Sequence, residues 1–419
     1  MIFRRLFLLY VVMPLSVQVS GQTNELLHTV TWTEQQDTLL DPSGAISIRS
    51  PVNKTALVSS DSMAIAEEYI FNYRVRFEYD QAQEANRFDA QVQEFSISTF
   101  AFEQWLFNAG KTQISWDMGS SFQPLGFFQP TQNLFDLNDQ QSLFGGLPLV
   151  AATYLNDGWS TSFVYSNDYW SSDDGFNSGV EQWASRIQWM SDSFDWSLVI
   201  QKPSGQNSGI GTSVITSFNE HTVSYFSAFY RQGTRQPQNM LLQANMPVFA
   251  DFYPFQTNLK QANVPFWRGV VGTSLSTSIG DFTFEFTFDE RNLDEQKWSQ
   301  LTSLIDLHGN TVVNDTDPSL QQLAAMNLFY DSQSLRSTGA QQRYAFVNFQ
   351  RPFLDGSVSL FTRISMQDKS GFYGFSYTKE LNRKLNLFSS IQIYMGEDKD
   401  EFGLIPINSS IQLTLRYFM

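Results

Sequence analysis

Ile411-Gln412-Leu413-Thr414-Leu415-Arg416-Tyr417-Phe418-Met419 is the stretch on which the reading of this chain turns. Apolar side chains occupy 411, 413, 415, 417 and 419, with Gln412, Thr414 and Arg416 among the residues between them. A β-strand sends alternate side chains to opposite faces, so this segment has one greasy face and one mostly polar face. That describes a soluble amphipathic strand as well as one with lipid against it. The rest of the chain separates the two.

Met1 to Gly21 carries Arg4 and Arg5, an apolar run from Leu6 to Leu15, and then Val19-Ser20-Gly21. A basic start, a short apolar run and small residues two apart mark an export signal peptide, residues 1–21, with a mature start near Gln22. The run is too short to cross a bilayer as a helix, and no later stretch approaches the roughly twenty apolar residues needed. Polar residues from Ser16 onward break the alternative, an uncleaved anchor. An exported chain with one-sided greasy strands points to the outer membrane of a Gram-negative bacterium. The expected fold is all-β, a transmembrane antiparallel up-and-down β-barrel.

Composition agrees. The 419 residues contain no cysteine, which excludes disulfides, a lipid anchor on Cys and thiol chemistry. Aromatic residues make up 15 %, including 38 Phe, while charged residues reach only 16 %, against about 25 % in ordinary globular chains. An aromatic-girdled outside and a moderately polar inside give that balance. The formal charge is −16, or −18 once Arg4 and Arg5 leave with the leader, which argues against nucleic acid as a partner.

A period of two runs through most of the chain. Tyr69, Phe71, Tyr73, Val75, Phe77 and Tyr79 alternate with residues that include Arg74, Arg76 and Glu78, and Phe282, Phe284, Phe286 and Phe288 alternate with Thr283, Glu285 and Thr287. Asn156-Asp157-Gly158, Ser191-Asp192-Ser193, Gly280-Asp281 and Leu354-Asp355-Gly356 read as tight hairpin turns. Between them lie long irregular stretches at 117–146, 167–180, 232–265, 291–340 and 396–409. Strict alternation of short and long connections is met by about sixteen strands, starting near 69, 88, 104, 147, 158, 181, 194, 211, 221, 266, 281, 342, 357, 371, 385 and 410. Fourteen and eighteen are the neighbouring even counts; adding 239–248 or 28–33 alone breaks the alternation. Residues 22–68 are then a periplasmic extension, either a lead-in or a plug, and 69–419 form the barrel.

With the apolar rows facing lipid, the lumen-lining candidates are Arg74, Arg76, Glu78, Arg186, Arg268, Glu285, Arg363 and Arg416. They make either a locally positive wall or internal ion pairs that hold the barrel's shape. The stretch from Asp117 to Gly146 holds Phe122, Pro124, Phe127, Phe128 and Phe135. A free loop does not expose that much apolar surface. These residues are expected to fold inward as a constriction, the alternative being a subunit interface.

Gly110-Lys111-Thr112-Gln113-Ile114-Ser115-Trp116, followed by Gly119, Phe122, Pro124, Gln129-Pro130, Leu147-Pro148 and a Trp159 hairpin, resembles a group of proteobacterial outer-membrane barrel proteins described as porin-like. Their pattern is a Gly-Lys strand leading to Trp-Gly and then a Phe-x-Pro loop. Here Asp117 stands where the group usually has Gly, and Met419 where the wider class ends on Phe. The match covers about fifty residues. It implies fold, location and a porin-like role, and transfers no catalytic residue.

Three histidines, His28, His221 and His308, leave little for an enzyme. His28 precedes the expected barrel and His221 sits at a short turn; His308 lies near Asp306, Asp315 and Asp317 in a long stretch. No Gly-x-Ser-x-Gly element or zinc spacing accompanies them. Asp315-Thr316-Asp317 and Glu397-Asp398-Lys399-Asp400-Glu401 read as acidic surface loops, the alternative being divalent-ion sites. The expected function is a channel for passive diffusion of small polar solutes. The alternatives are a gated export or import barrel working with periplasmic partners, and a closed structural or adhesive barrel. No cofactor or metal is implied. Expected partners are outer-membrane lipid, lipopolysaccharide, the barrel-assembly machinery and copies of the same chain.

Overall fold

The computed structural model describes residues 17–36, 38–41, 51–65, 68–81, 87–129, 145–167, 181–233, 238–243, 249–251, 255–256, 264–335 and 339–419. Eighteen strands form one closed antiparallel sheet. They are β1 (Val17–Gln35), β2 (Val52–Ile65), β3 (Tyr69–Gln81), β4 (Arg87–Ala101), β5 (Trp105–Thr112) and β6 (Leu147–Asn156). Next come β7 (Trp159–Asn167), β8 (Glu181–Met190), β9 (Phe194–Pro203), β10 (Gly209–Asn219), β11 (Thr222–Gln232) and β12 (Pro265–Thr277). The last six are β13 (Gly280–Asp289), β14 (Arg343–Phe353), β15 (Gly356–Ser365), β16 (Gly371–Asn382), β17 (Leu385–Met395) and β18 (Ile407–Phe418). Each strand pairs with its sequence neighbour, and β1 pairs with β18, Leu26 opposite Tyr417 and Trp32 opposite Ile411, to close the ring.

The count is therefore eighteen rather than sixteen. All sixteen expected strands are present, and β1 and β2 are added from residues 22–68, which build wall rather than an extension. They enter as a pair, with one long connection between them and one short connection to β3, so the alternation survives. His28 accordingly lies on β1, with Nδ1 3.0 Å from the Thr55 hydroxyl on β2. The expected cleavage point falls at the register shift between Ser20 and Thr23, and every pairing with β18 lies beyond it, from Glu25 onward.

Alternation divides the wall into two faces. Phe284, Phe286, Leu360, Ile391 and Ile411 point outward and are exposed, while Glu285, Thr287, Phe361, Ser390 and Thr414 point inward and are buried. Aromatic rings gather on the outer face toward both rims. Trp105, Tyr154 and Trp159 touch in series at 5.2 and 5.4 Å near the short turns, and Tyr230 meets Trp267 at 4.6 Å near the long connections. That is the arrangement that suits an apolar band between two membrane interfaces. At the Leu354–Asp355 turn both residues have positive φ, 46° and 59°, matching the twist of a two-residue hairpin. The expected turn at Gly280-Asp281 sits slightly earlier, with Gly280 opening β13 at φ +145°.

The stretch 291–340, read as irregular, contains α1 (Glu295–Asn314) and α2 (Pro318–Leu335). Asp294 caps α1 by accepting the Lys297 N–H at 2.8 Å, and Pro318 opens α2, where a missing N–H costs nothing. Trp298, Leu301 and Ile305 pack with Leu40, Ala340 and Leu404, gathering three long connections over one end of the barrel.

The lumen and the loops seated in it

A wall of this many strands is too wide for its own inward side chains to fill. Here loops occupy part of the space. Trp116, Leu125, Phe127 and Phe128, from the connection after β5, pack on the inward residues Leu149, Val164, Val199, Phe229 and Phe266. The Phe127 ring lies 5.0 Å from that of Phe229. Pro124 is buried here, Phe122 half-buried, and Phe135 falls outside the described residues. The inner wall is shaped for this loop: a Cβ on Gly211 would stand 2.4 Å from Leu125 Cδ2.

Two carboxylates fasten the loop. Asp117 accepts from the Met118 and Leu125 N–H groups at 2.9 and 2.8 Å and from the Ser227 hydroxyl of β11 at 2.7 Å. Burial pushes its carboxyl above the usual range, against the pull of those donors. Glu285 of β13 accepts from the Ser120 and Ser121 N–H groups at 2.5 and 2.8 Å, and from the Ser121 and Tyr225 hydroxyls. Asp117, the departure from the porin-like pattern, is thus the residue that ties the loop to the wall. A carboxylate set among Phe and Leu was the available signal, since such a group must find donors.

A second loop enters beside the first, where Phe122 shares a cavity with Tyr344 and Arg363. Phe402 joins Tyr344, Phe361, Phe372 and Tyr394 in an inward aromatic cluster. Beside it Glu401 accepts from the Ala340 N–H at 2.8 Å and the Tyr344 hydroxyl at 2.6 Å. Arg363 stacks over the Tyr344 ring at 3.9 Å. Burial raises the Glu401 carboxyl above its usual range.

The expected wall charges all occupy inward positions, in two settings. Around the barrel seam Arg76 pairs with Glu78, Lys54 reaches Glu78 at 3.4 Å, Arg416 reaches Glu25 at 3.4 Å, and Arg74 donates to Gln93 at 3.1 Å. Opposite charges alternate there, and Glu25 was missed because it lay in the supposed extension. Across the lumen Arg268, Glu285 and Arg363 lie under the seated loops, and Arg186 stacks over Trp116 at 5.8 Å. His308 does not meet Asp306, which pairs with Lys399. Its Nδ1 lies 2.9 Å from Asp331 on α2, and Asn239 donates to the same carboxyl at 3.0 Å. Asp315 and Asp317 turn to the backbone at the start of α2, each accepting an N–H at 2.9 Å.

No family model matches the chain, and no curated protein sequence matches it. Among solved structures, Salmonella typhi OmpF in complex with daunomycin is similar over 95 % of this chain and 97 % of that one, at 9 % identity and a TM-score of 0.47. A triple-mutant Rhodopseudomonas blastica porin is similar over 95 % and 99 %, at 9 % identity and a TM-score of 0.38. The barrel is defined by the chain's own strand pairing.

Proposed function

We propose that this chain is a porin-like channel of a bacterial outer membrane that passes small polar solutes by passive diffusion, and that it is not an enzyme. One observation carries the reading: a closed wall of eighteen strands, apolar outside and carrying a charged seam inside, is narrowed by a loop tethered at Asp117 and Glu285. Lipid meets the Phe, Leu and Ile rows, while water and solute meet the inner face. The seated loop sets size, and the charged seam of Arg74, Arg76, Arg416, Glu25 and Glu78 sets the local field. Planar-bilayer recording of the reconstituted full chain tests this; steady ohmic steps are expected. Persistent silence refutes it in favour of a closed barrel.

A gated barrel is the second reading. The packing of α1 and α2 against Leu40, Ala340 and Leu404 at the long-connection end supports it. Silence relieved by a periplasmic extract would select that reading.

A further inference from the structure

The hairpin of β2 and β3 overhangs the short-turn rim of the barrel. β18 ends against β1 at Asn24, whose carbonyl accepts the Met419 N–H at 2.9 Å. β2 runs on to Ile65, and its last partners on β1 are Ser20, Val19, Gln18 and Val17, opposite Ser62, Met63, Ala64 and Ile65. Those partners belong to the expected export leader, residues 1–21. The register of β1 breaks between Ser20 and Thr23, where the leader is expected to be cut. Once it has gone, residues 62–65 keep β3 on one side and, among the described residues, face no strand on the other.

An open strand edge is a template for another strand. Its surroundings are apolar where lipid does not reach. Ala64 stands opposite Ile70 and Ile70 opposite Ser98, while Phe100, two residues on, pairs with Leu106. Ile70 belongs to the β3 row of Arg74 and Arg76, on the lumen face. It is 42 % exposed and Phe100 is 51 % exposed. Large apolar side chains bared on a water-facing surface mark a contact site. At the adjoining turn Phe102 is 88 % exposed at φ 56°, a conformation that strains a bulky residue. Glu68 and Glu103, in the two turns, are exposed acids.

We propose that residues 62–65, with Ile70, Phe100 and Phe102 beside them, form a strand-addition edge at the periplasmic mouth. Its occupant is an extended segment of a periplasmic protein, apolar at alternate positions and basic at one flank. Residues 17–20, Val-Gln-Val-Ser, are the template, since they lie on this edge in antiparallel register while still attached. The main chain supplies the ladder, one apolar residue falls opposite Met63 and shares its face, and the basic flank meets Glu68 and Glu103. The inference rests on removal of the leader and not on the channel reading.

The test compares the mature chain, refolded in detergent from Gln22, with a longer chain begun at Val17. The probe is fluorescein-labelled Lys-Lys-Val-Gln-Val-Ser. Fluorescence anisotropy should show saturable binding to the mature chain and none to the longer one, whose edge is already filled. N-methylation of both valines, and N-methylation of Gln and Ser, block opposite sides of the added strand. One should therefore weaken binding about tenfold and the other little. Phe100→Ser combined with Ile70→Ser should also weaken it about tenfold. Heat-dependent electrophoretic mobility checks that each protein remains a barrel. No binding to the mature chain, equal binding to both chains, or indifference to either methylation refutes the edge. Mass spectrometry of the protein taken from outer membranes gives its first residue; a start that retains residues 17–20 leaves the edge filled and overturns the proposal, whatever the conductance.

Discussion

The Asp117 carboxylate accepts the Ser227 hydroxyl at 2.7 Å, joining a loop and an inner wall that lie 110 residues apart in sequence. Replacing Asp117 by Ala strands the Leu125 N–H as well as Ser227, at about 1–3 kcal/mol for each buried group left unmade. The expected outcome is a loosened loop: faster protease cleavage within 113–129 and larger conductance steps. Cleavage and conductance both at parental levels would refute the tether.

Gly211→Val drives a side chain into Leu125, and overpacking of this kind costs about 1–3 kcal/mol. Because the strain acts through the seated loop, it should shrink when combined with Asp117→Ala, which has already released that loop. Thermal unfolding of the two single variants and the double variant reads the coupling. Simple additivity would mean that the wall and the loop are independent.

Ile391 is exposed on the outer face and Gln412 lies on the inner face of the neighbouring strand. Lysine at 391 should cost about 2–4 kcal/mol of folding into lipid vesicles, as lipid-facing charges near mid-membrane do, and lysine at 412 much less. Urea titration in vesicles measures both. Equal costs would contradict the assignment of faces.

His308 and Asp331 are both fully buried between α1 and α2. Asp331→Leu leaves His308 Nδ1 and the Asn239 amide unsatisfied, again about 1–3 kcal/mol each. Hydrogen exchange should accelerate across both helices and remain slow in β6–β12. Acceleration throughout the barrel would show that the helices are not a separate unit.

Burial raises Glu401, and it does the same to Asp117 and Asp331, so all three carboxyls favour the protonated form more in the folded chain than in the unfolded one. A raised acid contributes stability that is complete below its unfolded pKa and is lost as pH rises through the folded one. Glu401 is faced by Arg363 and Tyr344, which favour its charge, and by Asp368, which opposes it. The seat of residues 396–406 should therefore tighten as pH falls from neutral toward the ordinary carboxylate range. Hydrogen exchange of Phe402 and Leu404 across that window measures it, and Glu401→Gln should flatten the dependence. Looser seating in acid would reverse the sign.

Period two was legible wherever the outer face is a row of large apolar residues, as in Phe282 to Phe288, and there strands and turns were placed closely. It failed on β1 and β2, whose outer rows mix Leu26 and Leu57 with His28, Thr55 and Ser59; such rows carry no contrast between the two faces. It also hid α1, although Asp294 and the spacing of Trp298, Leu301, Ile305 and His308 carry a helical signature. The inward fold of the Phe-rich loop followed from the cost of exposing it. Which residues fasten it did not, because Glu285 and Ser227 come near Asp117 only through the closed wall.

The Thr29 and Thr414 hydroxyls meet at 2.9 Å across 385 residues, at the seam of β1 and β18. Short of that contact, the sheet is open and presents two unpaired edges to any other strand in reach. Seventeen hairpin-like pairings between sequence neighbours can form locally, but this one waits for distant segments to find each other. Assembly of this wall is thus a race between sealing itself and recruiting a neighbour, decided at a single joint.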